Sequence, residues 1–118
     1  MKENIILDKS YHFAKRIVKL YIHLKKDSKE FELSKQILKS GTSIGANVEE
    51  AIGGYSRKDF ASKLGIAYKE ARETKYWLRL LHDTNIIDSN VYSSMEEDCE
   101  ELLKIIGSIL KTIRNQNS

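Results

Sequence analysis

The chain has 118 residues, with 20 Lys and Arg, 17 Asp and Glu, no proline, six glycines and one cysteine. This length predicts a single domain over residues 1–118, and one cysteine excludes an internal disulfide or a site built from several cysteines. The mean hydropathy is -0.47, no apolar stretch approaches the roughly 20 residues of a membrane span, and the first residues lack a secretion signal. We therefore expect a cytoplasmic protein with no membrane partner.

Two long helices are predicted in the first half of the chain, where apolar residues recur at helical spacing and no proline intervenes. They cover about residues 8–26 and 33–52, and the second ends at Gly53-Gly54 because glycine accepts the left-handed conformation of a helix C-terminus. Small residues from Ser40 to Asn47 predict close packing of the second helix against a neighbour. The inward stripes are Phe13, Ile17, Leu20 and Leu24 in the first helix, and Ile37, Gly41, Ile44, Val48 and Ala51 in the second.

Two further helices are predicted at about residues 57–82 and 89–114. Ser56 is the expected N-cap of the third helix, and Asp88 or Ser89 that of the fourth. Their inward stripes are Phe60, Leu64, Ala67, Ala71, Leu78 and Leu81 in the third helix, and Met95, Cys99, Leu102, Ile106, Ile109 and Ile113 in the fourth. Because short loops make consecutive helices antiparallel, the prediction is an all-α, antiparallel up-down-up-down four-helix bundle.

The first and third helices each carry a second apolar stripe, which a monomeric bundle does not need. At about 100° per residue, these stripes point roughly 120–180° away from the inward ones. Scattered exposed apolar residues are the alternative interpretation, but apolar groups with the single Trp are typical of interfaces, so we predict self-association. The candidate interface residues are Tyr11, Val18 and Ile22 on the first helix, and Ile66, Glu70, Glu73, Trp77 and Leu80 on the third.

The net charge of +3 conceals a division between the helices. Residues 1–32 carry eight basic and five acidic groups and residues 57–83 carry seven and four, whereas residues 84–118 carry three and six. A cationic surface suits phosphate backbones; a solvated face that pairs with the acidic fourth helix is the alternative. The candidate nucleic-acid-binding residues are Lys15, Arg16, Lys19, Lys25, Lys26, Arg57, Lys58 and Lys63, and the third helix continues with Lys69, Arg72, Lys75 and Arg79.

Catalytic signals are weak. The three histidines form no metal-ligand pattern and the Glu-x-x-His motifs of di-iron bundles do not occur, so we predict no metal, no cofactor and no enzymatic activity. Cys99 falls on an inward stripe, which predicts a buried, unreactive thiol. Arg16 and His23 loosely match the Arg-x(4–6)-His signature of HEPN-type ribonucleases, although Ile17 stands where that signature has a polar residue. A ribonuclease is therefore the least favoured hypothesis.

The segment from Ser40 to Leu81 carries a more specific pattern. A Ser-Ile-x-x-Asn-Val-x-Glu segment is followed by a Ser/Arg-rich turn, a Phe and an Ala-rich helix with Glu residues. This pattern resembles the four-helix-bundle family named after the 23S rRNA intervening-sequence protein. The residues that match are Ser43, Ile44, Asn47, Glu50 and Phe60.

The resemblance implies a small bacterial α-helical protein that assembles into a homo-oligomeric ring, commonly a pentamer. The family is similar to the accessory protein of diversity-generating retroelements, a basic pentameric barrel that binds nucleic acid and its reverse transcriptase. We therefore expect a non-enzymatic homo-oligomer that binds RNA or DNA. The alternative is a scaffold that docks a separately encoded protein.

Overall fold

Four α-helices account for most of the chain in a computed structural model that describes residues 2–116, with side chains from residue 5 onward. No strand occurs within this range. Three of the helices match the predicted bounds to within two residues, and the first begins six residues earlier than predicted. The helices are α1 Lys2–Lys26, α2 Glu32–Ile52, α3 Arg57–Asp83 and α4 Ser89–Gln116.

Each helix packs against two neighbours that run in the opposite direction. Between α1 and α4, Lys9 pairs with Glu101 and Arg16 with Asp98, so the residue numbers rise along one helix as they fall along the other. Cross-helix contacts follow the same rule between α1 and α2, α2 and α3, and α3 and α4. In the described part of the chain, α1 does not pack on α3, nor α2 on α4. The predicted up-down-up-down bundle is therefore confirmed, with α1 and α3 diagonally opposed.

The predicted inward stripes form the core. Every stripe residue of α1, α2 and α4 is buried, and so are those of α3 except Phe60, which is half-buried at the margin. Burying a Leu, Ile or Phe side chain stabilises the fold by about 1.5–3 kcal/mol. Ile6 and Ile87 extend the core beyond the predicted stripes.

Both predicted N-caps are present. The Ser56 hydroxyl accepts a hydrogen bond from the backbone N–H of Asp59 at 3.0 Å, and Asp88 Oδ1 accepts one from the backbone N–H of Val91 at 2.8 Å. Asp88, rather than Ser89, therefore caps α4. Each cap satisfies one of the free N–H groups of the first turn.

The predicted left-handed conformation at the end of α2 is wrong. Gly53 has φ -81°, and it closes the helix by donating its N–H to Glu49 O at 3.1 Å. Gly54 tightens the last turn by donating to Ala51 O, so the carbonyls are satisfied without a left-handed residue. Among the described residues, positive φ occurs at Lys29 and Asn85 instead.

Small residues in α2 bring its backbone close to α1, as predicted. A Cβ atom on Gly41 would lie 2.6 Å from Ile17 Cγ1, and one on Gly45 would lie 3.3 Å from the backbone oxygen of Ser10. A side chain at position 41 would therefore displace α1. The other flank of α2 is tied to α3 by a buried hydrogen bond from Thr74 Oγ1 to Ser40 Oγ, at 3.0 Å.

Candidate nucleic-acid interface

A groove between α3 and α4 brings four basic side chains together. It offers about 560 Å³. The α3 residues that line it recur every three or four positions and so share one face of the helix. The lining residues are Tyr68, Arg72, Lys75, Tyr76 and Arg79 from α3, and Glu100, Leu103, Lys104 and Gly107 from α4.

Basic residues outnumber acidic ones in the lining of this groove, and Glu96 of α4 acts on Lys75 from just outside it. Glu100 is the one acidic residue in the lining, and it forms an ion pair with Lys75. The hydrogen bond that the Lys75 ammonium group donates to Glu100 raises the pKa of Lys75. Among the described side chains, Arg72, Arg79 and Lys104 have no acidic partner. Three cations are thus available to an anionic ligand.

Aromatic rings interrupt the cations along the groove. Tyr76 is 48% exposed and packs edge-on against Trp77 with a centroid distance of 4.9 Å. Tyr68 lies over Gly107, where an added Cβ would sit 3.4 Å from the ring. Tyrosine rings beside arginine and lysine can stack on nucleobases while the cations bind phosphates.

The positive surface continues toward the start of α3. Arg57 and Lys58 precede Lys75 and Tyr76 by 18 residues, which is five helical turns, so they point to the same side. Arg57 Nη2 donates to Gln116 Oε1 at 2.6 Å, which joins the beginning of α3 to the end of α4. From position 57 to position 79 this surface is about 33 Å long at 1.5 Å per residue. We call it the α3/α4 basic face, defined by Arg57, Lys58, Arg72, Lys75, Arg79 and Lys104.

The structure does not bring the eight predicted nucleic-acid-binding residues into one surface. Arg57 and Lys58 belong to the α3/α4 basic face, whereas the five residues of α1 lie on the diagonally opposite helix. Lys63 of α3 pairs with Glu50 of α2 at 2.9 Å and turns away from the groove. The five residues of α1 are Lys15, Arg16, Lys19, Lys25 and Lys26.

Several of those α1 cations are already engaged. Arg16 Nη1 donates to Asp98 Oδ2 at 2.5 Å and Arg16 Nη2 to Ser94 Oγ at 2.8 Å. Lys15 and Lys25 lie over the rings of Tyr11 and Tyr21, at 5.2 and 4.9 Å from the centroids. At the centre of the α3/α4 basic face, Arg72, Lys75 and Arg79 were noted in the sequence only as further basic residues of the third helix, and Lys104 was not singled out. The spacing of Tyr68, Arg72, Tyr76 and Arg79 could have indicated them.

The candidate interface residues differ in exposure. Tyr11 and Ile22 are 63% and 55% exposed, and Val18 and Ile66 are also exposed. Trp77 and Leu80 are half-buried; Trp77 packs against the core and donates its Nε1–H to Glu73 Oε2 at 3.1 Å. The free apolar surface is therefore larger on α1 than on α3.

Glu70 marks the side of α3 that carries the other interface candidates. Burial and the nearby Glu73 carboxylate raise the pKa of Glu70, and Lys39 of α2 partly opposes that rise. This stripe therefore lies toward α2, on the opposite side of α3 from the groove. An assembly built on it would leave the α3/α4 basic face open.

The family-pattern residues lie on α2 and at the start of α3. Ile44 is fully buried, Ser43 Oγ donates to Lys39 O at 2.7 Å, and Asn47 Nδ2 donates to Ser43 O at 2.9 Å, both within α2. Glu50 links α2 to α3 through Lys63, and Phe60 packs at the margin of the core. None of these residues lines the groove.

The ribonuclease hypothesis rests on Arg16 and His23, which are seven residues apart on α1, about 10.5 Å along the helix. Arg16 is engaged by Asp98 and Ser94. His23 Nδ1 contacts Asp27 Oδ2 at 2.6 Å. In the described chain no cluster of three His, Cys, Asp or Glu side chains is placed to hold a metal ion.

The predicted burial of the Cys99 thiol is confirmed. The thiol is fully buried and donates to the backbone oxygen of Ala71 at 3.2 Å. Burial raises its pKa to about 12, so the nucleophilic thiolate is not populated at neutral pH.

No helix between residues 2 and 116 combines the length and apolarity that a membrane crossing requires.

Known proteins resemble this chain over almost its whole length. The profile of the 23S rRNA-intervening sequence protein family matches residues 2–108. The crystal structure of a Bacteroides thetaiotaomicron protein of unknown function, from the S23 ribosomal protein family, is similar with a TM-score of 0.93. The two sequences are 54% identical, and the match covers 94% of this chain and 99% of that one. No curated protein matches the chain significantly.

Proposed function

The chain belongs to the 23S rRNA-intervening sequence protein family, and we propose that it is a non-enzymatic homo-oligomer that binds RNA through the α3/α4 basic face. The observation that carries the proposal is the groove in which Arg72, Arg79 and Lys104 have no acidic partner among the described side chains. Cations without a protein partner are the groups that can displace counterions from phosphates. The tyrosines between them favour a single strand whose bases are accessible for stacking.

Self-association supports this function by repeating the same face around an assembly. The exposed apolar residues Tyr11, Val18 and Ile22 lie on α1, diagonally across the bundle from α3. A contact made there, and along the α2 side of α3, leaves the groove accessible in every subunit. Several copies of a moderately basic face then act together on one polyanion, which raises the apparent affinity without new contacts.

Binding of a labelled single-stranded RNA, followed by fluorescence anisotropy at low salt, tests the RNA proposal. We expect Arg72→Glu/Arg79→Glu to weaken binding by at least about tenfold, since each phosphate contact contributes to a strongly salt-dependent affinity. The matched control is Lys25→Glu/Lys26→Glu, which reverses two α1 lysines that have no ion pair among the described residues and line neither groove. We expect this control to weaken RNA binding by less than about threefold.

Two outcomes would overturn the proposal. If the wild-type protein binds neither RNA nor DNA at low salt, the function is wrong. If the α1 control loses as much affinity as the α3 variant, the α3/α4 basic face is not the binding surface. An unchanged circular dichroism spectrum in both variants ensures that binding, rather than folding, is compared.

Light scattering at moderate salt tests the assembly. We expect a mass near five times that of the 13.6 kDa chain. Ile22→Glu should convert the assembly to smaller species, because a buried, unpaired carboxylate costs several kcal/mol. Ile22 is 55% exposed in the isolated bundle, so the substitution leaves the fold of one subunit intact. A monomeric wild-type protein, or an Ile22→Glu variant of unchanged mass, would contradict this part of the proposal.

A further inference from the structure

We propose that the pocket between α1 and α4 is a second ligand site, which binds a free nucleoside phosphate. The pocket offers about 880 Å³, within the roughly 300–1,000 Å³ typical of small-molecule sites. It lies on the opposite side of α4 from the α3/α4 basic face, and the inference does not depend on RNA binding. Its lining divides into an apolar floor and a polar rim.

The floor is formed by Leu20, Ile87 and Met95, all of which line the pocket and are largely buried. The turn between α3 and α4 places Ile87 there. In that turn the N–H groups of Ile86 and Ile87 both donate to Leu81 O, at 2.9 and 3.3 Å. The floor is thus fixed by backbone hydrogen bonds. It offers a flat apolar surface, and the thioether of Met95 is a favourable neighbour for an aromatic ring.

The α1 side of the rim is a row of nitrogen-bearing side chains. His12, Arg16, Lys19 and His23 all line the pocket at intervals of three or four residues, so they follow one face of the helix. Lys19 has no acidic partner among the described side chains and is one helical turn from His23. Arg16 is held in place by Asp98 and Ser94. A phosphate beside Lys19 would meet its ammonium group, with Arg16 one helical turn to one side and His23, which contacts Asp27, one turn to the other.

The opposite side of the rim carries hydrogen-bonding groups rather than cations. Asn85 and Asp88 line it, and Asp88 uses its Oδ1 to cap α4. The other carboxylate oxygen of Asp88 and the amide of Asn85 suit a ligand that presents hydroxyl or ring N–H groups. An anionic lipid would bury these polar groups without partners, at a cost of about 1–3 kcal/mol for each group. A nucleoside phosphate fits this lining. Its base would lie on the apolar floor, its sugar hydroxyls would meet Asn85 and Asp88, and its phosphate would meet the α1 side of the rim.

Isothermal titration with adenosine 5′-monophosphate tests the site in the full-length protein, with inorganic phosphate, adenosine and decanoate as comparison ligands. We expect the monophosphate to bind with a dissociation constant below about 1 mM and at least fivefold more tightly than any comparison ligand. Lys19→Gln should weaken it at least fivefold. The matched control Lys26→Gln, on the same helix but outside the lining, should not.

Val91→Glu provides a second variant that leaves the core intact, because Val91 lines the pocket yet is exposed. The added carboxylate should also weaken the monophosphate at least fivefold by repelling it. Equal affinity for inorganic phosphate would mean simple attraction to cations, and tighter binding of decanoate would mean a lipid site; either would overturn the inference. Two further results would overturn it: no binding at 5 mM adenosine monophosphate, or loss of monophosphate binding in Arg72→Glu/Arg79→Glu.

Discussion

The two grooves that flank α4 both carry basic residues, yet they differ in how many of these are paired with acids. On the α1 side, acidic residues of α4 pair with two cations, Lys9 with Glu101 and Arg16 with Asp98, and Lys19 alone lines the pocket as an unpaired lysine among the described side chains. On the α3 side, α4 contributes Lys104 and a single acid, Glu100, and leaves Arg72 and Arg79 without an acidic partner in the described chain. A count of charges along a helix therefore does not locate a polyanion site. Cross-helix pairing decides which charges remain available.

This contrast also separates the ligands that we propose. A face about 33 Å long that carries several unpaired cations suits a polymer with many phosphates. A pocket with one unpaired lysine and an apolar floor suits one phosphate attached to an aromatic group.

The largest effect is expected where α2 packs closely against α1. Gly41→Ala should lower the free energy of unfolding by about 2–3 kcal/mol, because the new Cβ would meet three atoms of the buried, β-branched Ile17 at 2.6–2.8 Å. The control is Gly65→Ala in α3, where nothing lies within 4 Å of an added Cβ.

Gly65→Ala should raise stability by up to about 1 kcal/mol through helix propensity. Urea unfolding monitored by circular dichroism compares the two variants. If Gly41→Ala is as stable as the wild type, then α1 is not held as closely as the structure shows.

The next prediction adds an acid to the groove between α3 and α4, so that its arginines become paired as Arg16 is on the α1 side. Lys104→Glu places a second carboxylate on α4 opposite Arg72 and Arg79, and RNA affinity should fall by about tenfold as those arginines become paired. Anisotropy at fixed salt measures the change. Lys35→Glu in α2, an exposed lysine outside the groove, makes the same charge change and should have a much smaller effect. Equal losses in both variants would mean that net charge, rather than the groove, governs binding.

The reciprocal change removes acids from the α1 groove. Asp98→Asn/Glu101→Gln should free Arg16 and Lys9 and tighten RNA binding by about threefold, with a steeper salt dependence. Because both pairs are partly exposed, their loss should cost little stability. A filter-binding titration detects the gain. A fall in RNA affinity would show that the paired α1 side chains have a role that the structure does not reveal.

The smallest effect concerns Glu70. The pKa of Glu70 is raised in the folded protein, so the folded state binds the proton more tightly than the unfolded state does. The free energy of unfolding therefore decreases as pH rises from the ordinary glutamate range through the raised pKa. Glu70→Gln removes that loss, and the variant should be more stable than the wild type at pH 7 by less than about 1 kcal/mol after solvent screening. Thermal unfolding at pH 4 and pH 7 should show the difference only at pH 7. A stability difference of the same size at pH 4 and pH 7 would contradict a raised pKa for Glu70.

Periodicity in the sequence was sufficient to predict the helices and their inward stripes, because the core needs one apolar face per helix. It could not predict that Arg16 meets Asp98, 82 residues away, since that contact depends on the register between α1 and α4. For the same reason Lys104, in an acidic helix, was not recognised as part of a basic surface. Trp77 lies at the boundary between the inward and outward faces, and only the position of α2 decides that it is half-buried.

The most direct test of the central claim is the salt dependence of RNA binding in the wild type and in Arg72→Gln/Arg79→Gln. These substitutions remove two charges from the α3/α4 basic face without adding repulsion. For a single strand, the logarithm of affinity should fall with the logarithm of salt concentration less steeply, with the slope reduced by about 1.4 for two lost phosphate contacts. An unchanged slope would mean that neither arginine contacts phosphate, and the α3/α4 basic face would not be the RNA-binding surface.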